Sequence, residues 1–269
     1  MAISLKPIQE QVIVITGASS GIGLATARAA AKRGAKLVLA ARSGRTLTEI
    51  VDKLSGSGVE AITVVADVGD RTQVDAIVSA ALERFHRIDT WVNNAGVSIY
   101  GRLDEVSDAD SRRLFETNFW GIVNGSLAAL PHLKTTGGAL INVGSEVSEA
   151  VIPLQGMYAA SKHAVKGFTD ALRLELQHLD DAPVSITLIQ PTAVNTPYPE
   201  HARNYMDREA ALPTPQIDPD QVAEAILDAA STPRRDVKVG AMATLNTLVS
   251  KVAPRLGDRM AAKQAGRQQ

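Results

Sequence analysis

The 269-residue chain has no cysteine, almost no net charge and no long apolar run. Without cysteine it forms no disulfide, thiolate metal site or cysteine nucleophile, which fits a reducing compartment. A net charge of −1 argues against a nucleic-acid binder, because such a protein needs a basic face. No run reaches the ~18 apolar residues of a membrane span, and residues 1–11 lack a signal-peptide pattern. The five histidines are scattered, so we expect no metal site in a cytoplasmic protein.

The chain does contain an alternation of short β-branched segments and longer segments with helical spacing. Strands are predicted at 12–16, 37–41, 61–66, 90–93, 139–143, 185–190 and 237–240. Helices are predicted between them at 21–33, 46–54, 71–85, 109–130, 158–179 and 218–230. Apolar strands separated by helices are typical of a parallel sheet covered on both faces. We therefore predict an α/β fold, a single Rossmann-like, doubly wound, seven-stranded parallel sheet.

A glycine-rich turn follows the first predicted strand. It reads Thr16-Gly17-Ala18-Ser19-Ser20-Gly21-Ile22-Gly23 and leads into a helix of small residues. In an open α/β sheet the first such turn binds a dinucleotide. Gly17 can adopt backbone angles that a side chain forbids, Gly21 lets the pyrophosphate approach the main chain, and Gly23 lets the helix pack closely on the strand. The N-terminus of the helix then stabilises the phosphate charge.

The spacing TGxxxGxG and four further motifs resemble the short-chain dehydrogenase/reductase family. The further motifs, in family order, are Asp67-Val68, Asn93-Asn94-Ala95-Gly96, Asn118 within Thr117–Gly121, and Tyr158-Ala159-Ala160-Ser161-Lys162, which matches YxxSK. Together they cover residues 12 to about 196. The resemblance implies an oxidoreductase that transfers a hydride between a nicotinamide cofactor and a small-molecule carbonyl or alcohol substrate.

The resemblance also implies a set of cofactor contacts at the ends of the strands. These residues are Gly17, Ser19, Ser20, Gly21, Ile22, Gly23, Arg42, Asp67, Val68, Asn94, Ala95, Gly96, Lys162, Pro191, Val194 and Thr196. After the second strand, NAD enzymes carry a carboxylate for the ribose hydroxyls, whereas this chain carries Arg42, whose guanidinium suits a 2′-phosphate. We therefore predict that NADP(H) is preferred over NAD(H). Ser20 stands where NADP-preferring members often have a second basic residue, so the preference depends mainly on Arg42.

By the same resemblance, catalysis is assigned to Asn118, Ser145, Tyr158 and Lys162. Tyr158 is the general acid/base. Lys162 lies four residues further on, on the same helix face, where it lowers the pKa of Tyr158 and holds the nicotinamide ribose. Ser145 donates a hydrogen bond to the substrate oxygen, and Asn118 holds a water that connects Lys162 to solvent. No metal ion takes part.

The substrate pocket is expected to involve Glu146, Val147, Ser148, residues 152–155 and a proline-rich lid at about 197–217. Glu146 either binds a polar or cationic group or points to solvent, and solvent is the favoured interpretation for an acidic residue. The lid residues Tyr198, His201, Tyr205 and Met206 indicate a medium-sized, partly apolar substrate. Thr192 replaces the glycine of the family's PGxVxT motif, so we expect a different turn there.

Residues 1–240 are assigned to the cofactor-binding and catalytic domain, and residues 241–269 to a basic, amphipathic C-terminal extension. This extension carries a net charge of +4 against −5 for the rest. Its apolar residues recur at helical spacing, interrupted by Pro254. They are Leu245, Leu248, Val249, Val252, Leu256 and Met260. Packing on the body or on a sister subunit is the favoured interpretation, and peripheral membrane contact is the alternative. The resemblance implies a homotetramer or homodimer through the fourth and fifth crossover helices.

The main interpretation is an NADP(H)-dependent carbonyl reductase. One alternative is a 3-oxoacyl-carrier-protein reductase, against which the long C-terminal extension and the altered Thr192 turn argue. Another is a non-catalytic regulator that senses NADP, although such proteins tend to lose the Tyr–Lys pair that this chain keeps. A third is a membrane-associated scaffold, for which only the amphipathic pattern of residues 241–269 speaks.

Overall fold

The computed structural model describes residues 3–265, so the first two and last four residues of the chain lie outside it. Its strands are β1 Val12–Thr16, β2 Lys36–Ala41, β3 Ala61–Val65, β4 Thr90–Asn93, β5 Ile99–Tyr100, β6 Gly138–Val143, β7 Val184–Pro191, β8 Arg203–Asn204 and β9 Asp236–Val239. Seven of them form one parallel sheet in the order β3-β2-β1-β4-β6-β7-β9. Strands β2 and β3 are added on one side of β1, and the later strands on its other side. This strand order confirms the predicted Rossmann-like fold.

Nine α-helices are described over residues 3–265. They are α1 Gly21–Lys32, α2 Gly44–Ser55, α3 Arg71–Phe85, α4 Asp108–Phe115, α5 Gly121–Thr136, α6 Gly156–Leu174, α7 Pro219–Ser231, α8 Ala241–Val252 and α9 Pro254–Ala265. The segment predicted as one helix at 109–130 is divided, because a π-helical turn at Glu116–Trp120 separates α4 from α5. A π-helical turn in this position is often found at a functional site.

The core lies on both faces of the sheet, because alternate side chains of each strand point in opposite directions. On β1, Ile13 and Ile15 join a cluster with side chains of α1 and α7. Val12 and Val14 join a second cluster with side chains of α3, α5 and α6. Each fully buried side chain of this size contributes about 1.5–3 kcal/mol. Helices therefore cover both faces of the sheet, and the ends of the strands are open for a ligand.

The lid is anchored by a small parallel sheet in which β5 pairs with β8. The main-chain N–H of Tyr205 donates to the carbonyl of Tyr100 at 2.7 Å, and that of Arg203 donates to the carbonyl of Ser98 at 3.2 Å. The sequence pattern does not predict this sheet, since each strand has only two residues. It holds the lid against the loop that follows β4.

The C-terminal extension forms α8 and α9, which separate at Ala253 as Pro254 predicts. Helix α8 packs against β9 and the turn at Glu146–Ser148. The face on the body consists of Ala243 and Thr247, which are buried, while Leu245, Leu248, Val252 and Leu256 of the predicted apolar stripe are exposed. No helix described between residues 3 and 265 combines the length and apolarity needed to cross a bilayer.

Candidate active site

A cleft of about 470 Å³ runs along the carboxyl ends of the strands, from the end of β2 to the lid. It is lined by every predicted cofactor contact except Gly23, and by the predicted catalytic residues Ser145, Tyr158 and Lys162. Because the ends of parallel strands meet at one edge of a sheet, residues far apart in the chain come together here. Gly23 and Asn118 are buried and do not line the cleft.

The glycine-rich turn fits a phosphate group at the start of α1. Gly17 has a φ of +66°, and a Cβ atom there would lie 2.8 Å from the Cα of Ala95. A Cβ on Gly23 would lie 2.2 Å from the carbonyl oxygen of Gly17, so the helix and the turn touch as predicted. Ser20, the residue before α1, makes no side-chain cap. The first N–H groups of α1 are therefore not capped by Ser20, and since Gly21 and Ile22 line the cleft, these groups can bind an anion there.

Thr16 and Asn94 join the glycine-rich turn to the loop after β4. The Thr16 hydroxyl accepts hydrogen bonds from the main-chain N–H groups of Asn94 (3.0 Å) and Ala95 (3.2 Å). In return, the Asn94 side chain donates to the carbonyl oxygens of Thr16 (3.0 Å) and Gly17 (3.2 Å). These bonds fix the two loops that form the floor of the predicted cofactor site.

Two charged residues lie near the end of the cleft farthest from the lid. Arg42 is exposed, lines the cleft and forms no ion pair within the described part of the chain, so its guanidinium is available to an anionic ligand. The Asp67 carboxylate is paired with Arg113 and also accepts a hydrogen bond from the N–H of Gly69 at 3.0 Å. Arg113 thus offsets the acidic charge that Asp67 would otherwise present to a phosphate.

Tyr158 and Lys162 lie one turn apart on α6, with the Lys162 Nζ 5.8 Å from the centroid of the Tyr158 ring. Lys162 is buried, and its Nζ donates a hydrogen bond to the carbonyl of Val143 at 2.8 Å. Burial lowers the pKa of Lys162 to about 8. Lys162 can therefore gain or lose a proton close to neutral pH.

Burial raises the pKa of the Tyr158 hydroxyl above its ordinary value, and the charge of Glu146 raises it further. The hydroxyls of Tyr198 and Ser145 act in the opposite direction, because they stabilise the phenolate. Lys162, which the sequence analysis expects to lower this pKa, is not among the groups that shift it. Tyr158 is consequently a protonated phenol at neutral pH, which is the form that donates a proton.

Ser145 and Asn118 are held by different networks. The Ser145 Oγ accepts a hydrogen bond from the N–H of Val147 at 3.3 Å and lies next to the Tyr158 hydroxyl. The Asn118 side chain donates to the carbonyl of Val97 (2.9 Å) and to the Ser161 hydroxyl (3.2 Å), and it accepts from the N–H of Val97 (2.8 Å). Asn118 therefore fixes the loop after β4, and its predicted water-binding role stays a prediction.

Most residues of this site lie within a stretch of the chain that matches a known protein family. The family model described as short chain dehydrogenase matches residues 11–206, which include the glycine-rich turn, Ser145, Tyr158 and Lys162. The chain belongs to the short-chain dehydrogenase/reductase family. It is therefore an oxidoreductase of that type.

One sequence relative and two solved structures are similar to this short-chain dehydrogenase over most of its length. An uncharacterized oxidoreductase, YxnA of Bacillus subtilis, is 48% identical over 264 residues, covering 97% of this chain and 74% of its own length. A short-chain dehydrogenase/reductase from Burkholderia phymatum in complex with NAD is 30% identical, with a TM-score of 0.82 over 91% of this chain and 94% of the other. An alcohol dehydrogenase from Thermococcus sibiricus complexed with 5-hydroxy-NADP is 32% identical, with a TM-score of 0.74 over 85% and 94%.

The prediction that Glu146 points to solvent is wrong for this short-chain dehydrogenase. Glu146 is only 4% exposed. Its carboxylate accepts hydrogen bonds from the hydroxyl of Thr192 at 3.1 Å and from the side-chain amide of Asn246, on α8, at 2.9 Å. Burial raises its pKa, while both hydrogen bonds lower it. The C-terminal extension thus contributes directly to the turn that carries Ser145.

These contacts also explain the departure from the family's PGxVxT motif. Thr192 is not among the residues with positive φ, so the backbone there does not require glycine. Its N–H donates to the carbonyl of Val239 at 3.0 Å, which continues the pairing of β7 with β9. The side chain that replaces the glycine serves to hold Glu146.

The substrate end of the cleft is mostly apolar. Its lining residues are Val97, Tyr100, Val147, Ile152, Gln155, Tyr198, His201, Leu212 and Pro213. Tyr205 and Met206 of the predicted lid are not part of it; the Tyr205 hydroxyl instead donates to Asp110 at 2.7 Å. Tyr100 also lines the cleft, and the sequence does not predict this, because Tyr100 lies in the two-residue strand β5 outside every family motif.

Proposed function

We propose that this protein is an NADP(H)-dependent reductase that transfers a hydride between the nicotinamide and a carbonyl/alcohol substrate. One observation supports the proposal most strongly: a single cleft joins the exposed guanidinium of Arg42 to the hydroxyls of Ser145 and Tyr158. The first site suits a nucleotide phosphate, and the second suits a reacting carbonyl oxygen.

When bound, the reduced nicotinamide supplies a hydride to the carbonyl carbon. The Tyr158 hydroxyl donates its proton to the carbonyl oxygen as that oxygen becomes basic, and the raised pKa keeps the proton on Tyr158 until then. Ser145 donates a hydrogen bond to the same oxygen as negative charge develops there. Lys162, whose pKa is lowered to about 8, sits beside Tyr158 and can supply a proton after each turnover.

The preference for NADP(H) rests on Arg42 and on the absence of a carboxylate at the end of β2. A guanidinium forms bidentate, charge-assisted hydrogen bonds with a phosphate, whereas a carboxylate repels it. The two structural neighbours contain different cofactors, 5-hydroxy-NADP in one and NAD in the other. Family membership therefore leaves the choice of cofactor open, and the local charge supports NADP(H).

The direct test mixes the full-length protein with NADPH or NADH and a panel of ketones, aldehydes and quinones, and follows the absorbance of the reduced cofactor. We expect turnover with NADPH and a lower kcat/KM with NADH. Efficient turnover of 3-oxoacyl-carrier-protein alone would favour the fatty-acid reductase instead. Tight NADPH binding without turnover of any substrate would favour the non-catalytic regulator.

We also propose that the enzyme forms a homodimer or homotetramer in the cytoplasm. Exposed apolar side chains lie on or beside the fourth and fifth crossover segments, among them Trp120, Leu127 and Leu174. Such side chains are often covered in oligomers. Light scattering after size-exclusion chromatography tests the proposal, and a monomer at micromolar concentration would contradict it.

A further inference from the structure

Three of the four tyrosines of this chain, Tyr100, Tyr158 and Tyr198, surround the substrate end of the cleft. Tyr158 has the catalytic position, which leaves the other two hydroxyls without an assigned role. Tyr100 is fully buried, and the hydroxyl of Tyr198 is buried as well. Neither hydroxyl has a hydrogen-bond partner of good geometry among the residues that the structure describes.

A buried hydroxyl without a partner is unusual, because the group loses its hydrogen bonds to water and gains none in return. Gln155 lies near the Tyr100 hydroxyl, and Ser98 and Tyr158 lie near that of Tyr198. They are close enough to influence the pKa values of these tyrosines, but they do not meet the geometry of a hydrogen bond. The wall around the two hydroxyls is largely apolar and includes Val147, Ile152 and Leu212.

The two hydroxyls are also held in place by the fold. Tyr100 belongs to β5, which pairs with β8 of the lid. The ring of Tyr198 packs on the ring of Tyr158, with the centroids 5.8 Å apart. The Tyr198 hydroxyl therefore lies close to the hydroxyl that meets the reacting oxygen, and Tyr100 lies close enough to both for their charges to interact.

We propose that the hydroxyls of Tyr100 and Tyr198 form a second polar subsite, which binds a second oxygen of the substrate next to the reacting carbonyl. The preferred substrates are then carbonyl compounds with a neighbouring carbonyl or hydroxyl oxygen, such as vicinal diketones and α-hydroxyketones. This inference rests on the proposed reductase function. Burial raises the pKa of both tyrosines, so both keep the hydrogen that they donate.

The experiment compares 2,3-pentanedione with 2-pentanone in the wild-type enzyme and in the variants Tyr100→Phe and Tyr198→Phe. Because a diketone is intrinsically the more reactive compound, the informative quantity is each variant's kcat/KM relative to wild type on the same substrate. Tyr205→Phe is the matched control, since its hydroxyl bonds to Asp110 and Ser107 outside the cleft. Thermal unfolding and NADPH titration check that each variant folds and binds cofactor.

We expect both cleft variants to lose about tenfold in kcat/KM for the diketone and less than twofold for the monoketone, because only the diketone has an oxygen for the lost donor. Equal losses on both substrates, or no loss on either, would overturn the subsite. Tyr100→Phe is the decisive variant, since Tyr198 also affects the pKa of Tyr158. If the wild-type enzyme reduces neither compound nor any other carbonyl, the reductase function itself fails.

Discussion

The two ends of the cleft are built in different ways. The cofactor end consists mainly of main chain and small residues that follow β1, β2 and β4, with Arg42 as its exposed charge, and each stretch is continuous in the sequence. The substrate end consists of side chains from the loop after β4, the turn after β6 and the lid, with α8 behind them. A substitution at the cofactor end changes the shape of the main chain that forms the site. At the substrate end, a substitution can remove a single functional group and leave the rest of the site in place.

The largest effect is expected where the two ends meet. Tyr158→Phe removes the proton donor without changing the shape of the ring, and kcat should fall by about 10²–10⁴. The dissociation constant of NADPH, measured by fluorescence titration, should stay unchanged because the cofactor end is untouched. Tyr205→Phe again serves as control. A Tyr158→Phe variant with wild-type kcat would remove Tyr158 from the mechanism.

Gly23→Ala tests whether the cofactor end depends on backbone shape. The added Cβ would lie 2.2 Å from the carbonyl of Gly17, and overpacking of this kind costs about 1–3 kcal/mol. We expect a lower melting temperature and a roughly 10- to 100-fold weaker affinity for NADPH.

The matched control for this glycine is Gly167→Ala on α6, where an added Cβ meets nothing within 4 Å. That variant should bind NADPH normally and be slightly more stable, because alanine is the better helix former. Wild-type NADPH affinity in Gly23→Ala would show that the close contact between the turn and α1 is not needed.

Arg42→Ala tests the charge at the cofactor end. Loss of charge-assisted hydrogen bonds to the 2′-phosphate should lower kcat/KM for NADPH by about 10- to 100-fold and leave NADH unaffected. Arg45→Ala is the control, since Arg45 lies on the neighbouring α2 and pairs with Glu49. An unchanged ratio between the two cofactors would assign the preference elsewhere.

The smallest effect is expected at the substrate end, from Glu146→Gln. The charge of Glu146 raises the pKa of Tyr158, so its removal should lower that pKa. In the direction of alcohol oxidation Tyr158 acts as the base, and the rate rises with pH as the phenol ionises. The acidic limb of the pH–rate profile should therefore move to lower pH.

The other groups that influence Tyr158 are the hydroxyls of Tyr198 and Ser145, and both remain in this variant. Glu149→Gln is the control, because its carboxylate is paired with Lys251 and does not shift the pKa of Tyr158. A profile that moves in neither variant, or equally in both, would contradict an electrostatic role for Glu146.

The sequence predicts the cofactor end of the cleft better than the substrate end, because the cofactor end depends on local features of the chain. The glycine-rich turn and the strands are local features, so the residues that form them are neighbours in the chain, and the predicted bounds of β1 and β4 agree with the structure. Glu146 is different. Its two partners, Thr192 and Asn246, are 46 and 100 residues away, and nothing near Glu146 indicates that it is buried.

The C-terminal extension shows the same limit. Its helical spacing and the break at Pro254 are local and were predictable, but the face that packs is not the most apolar one. Ala243 and Thr247 lie against the body, while Leu248 and Val252 are exposed. Small side chains allow α8 to approach the turn at Glu146–Ser148 closely, and this fit depends on the shape of the surface that the helix meets.

By itself, the sequence determined the order of helices and strands, the turn for the cofactor and the Tyr158–Lys162 pair, because each depends on residues within a few positions of one another. Only the tertiary structure decided the burial of Glu146, the contribution of α8 to the active site and the placement of the Tyr100 and Tyr198 hydroxyls. Those features arise when distant segments pack, and packing depends on complementary shape and on satisfied hydrogen bonds across the whole fold.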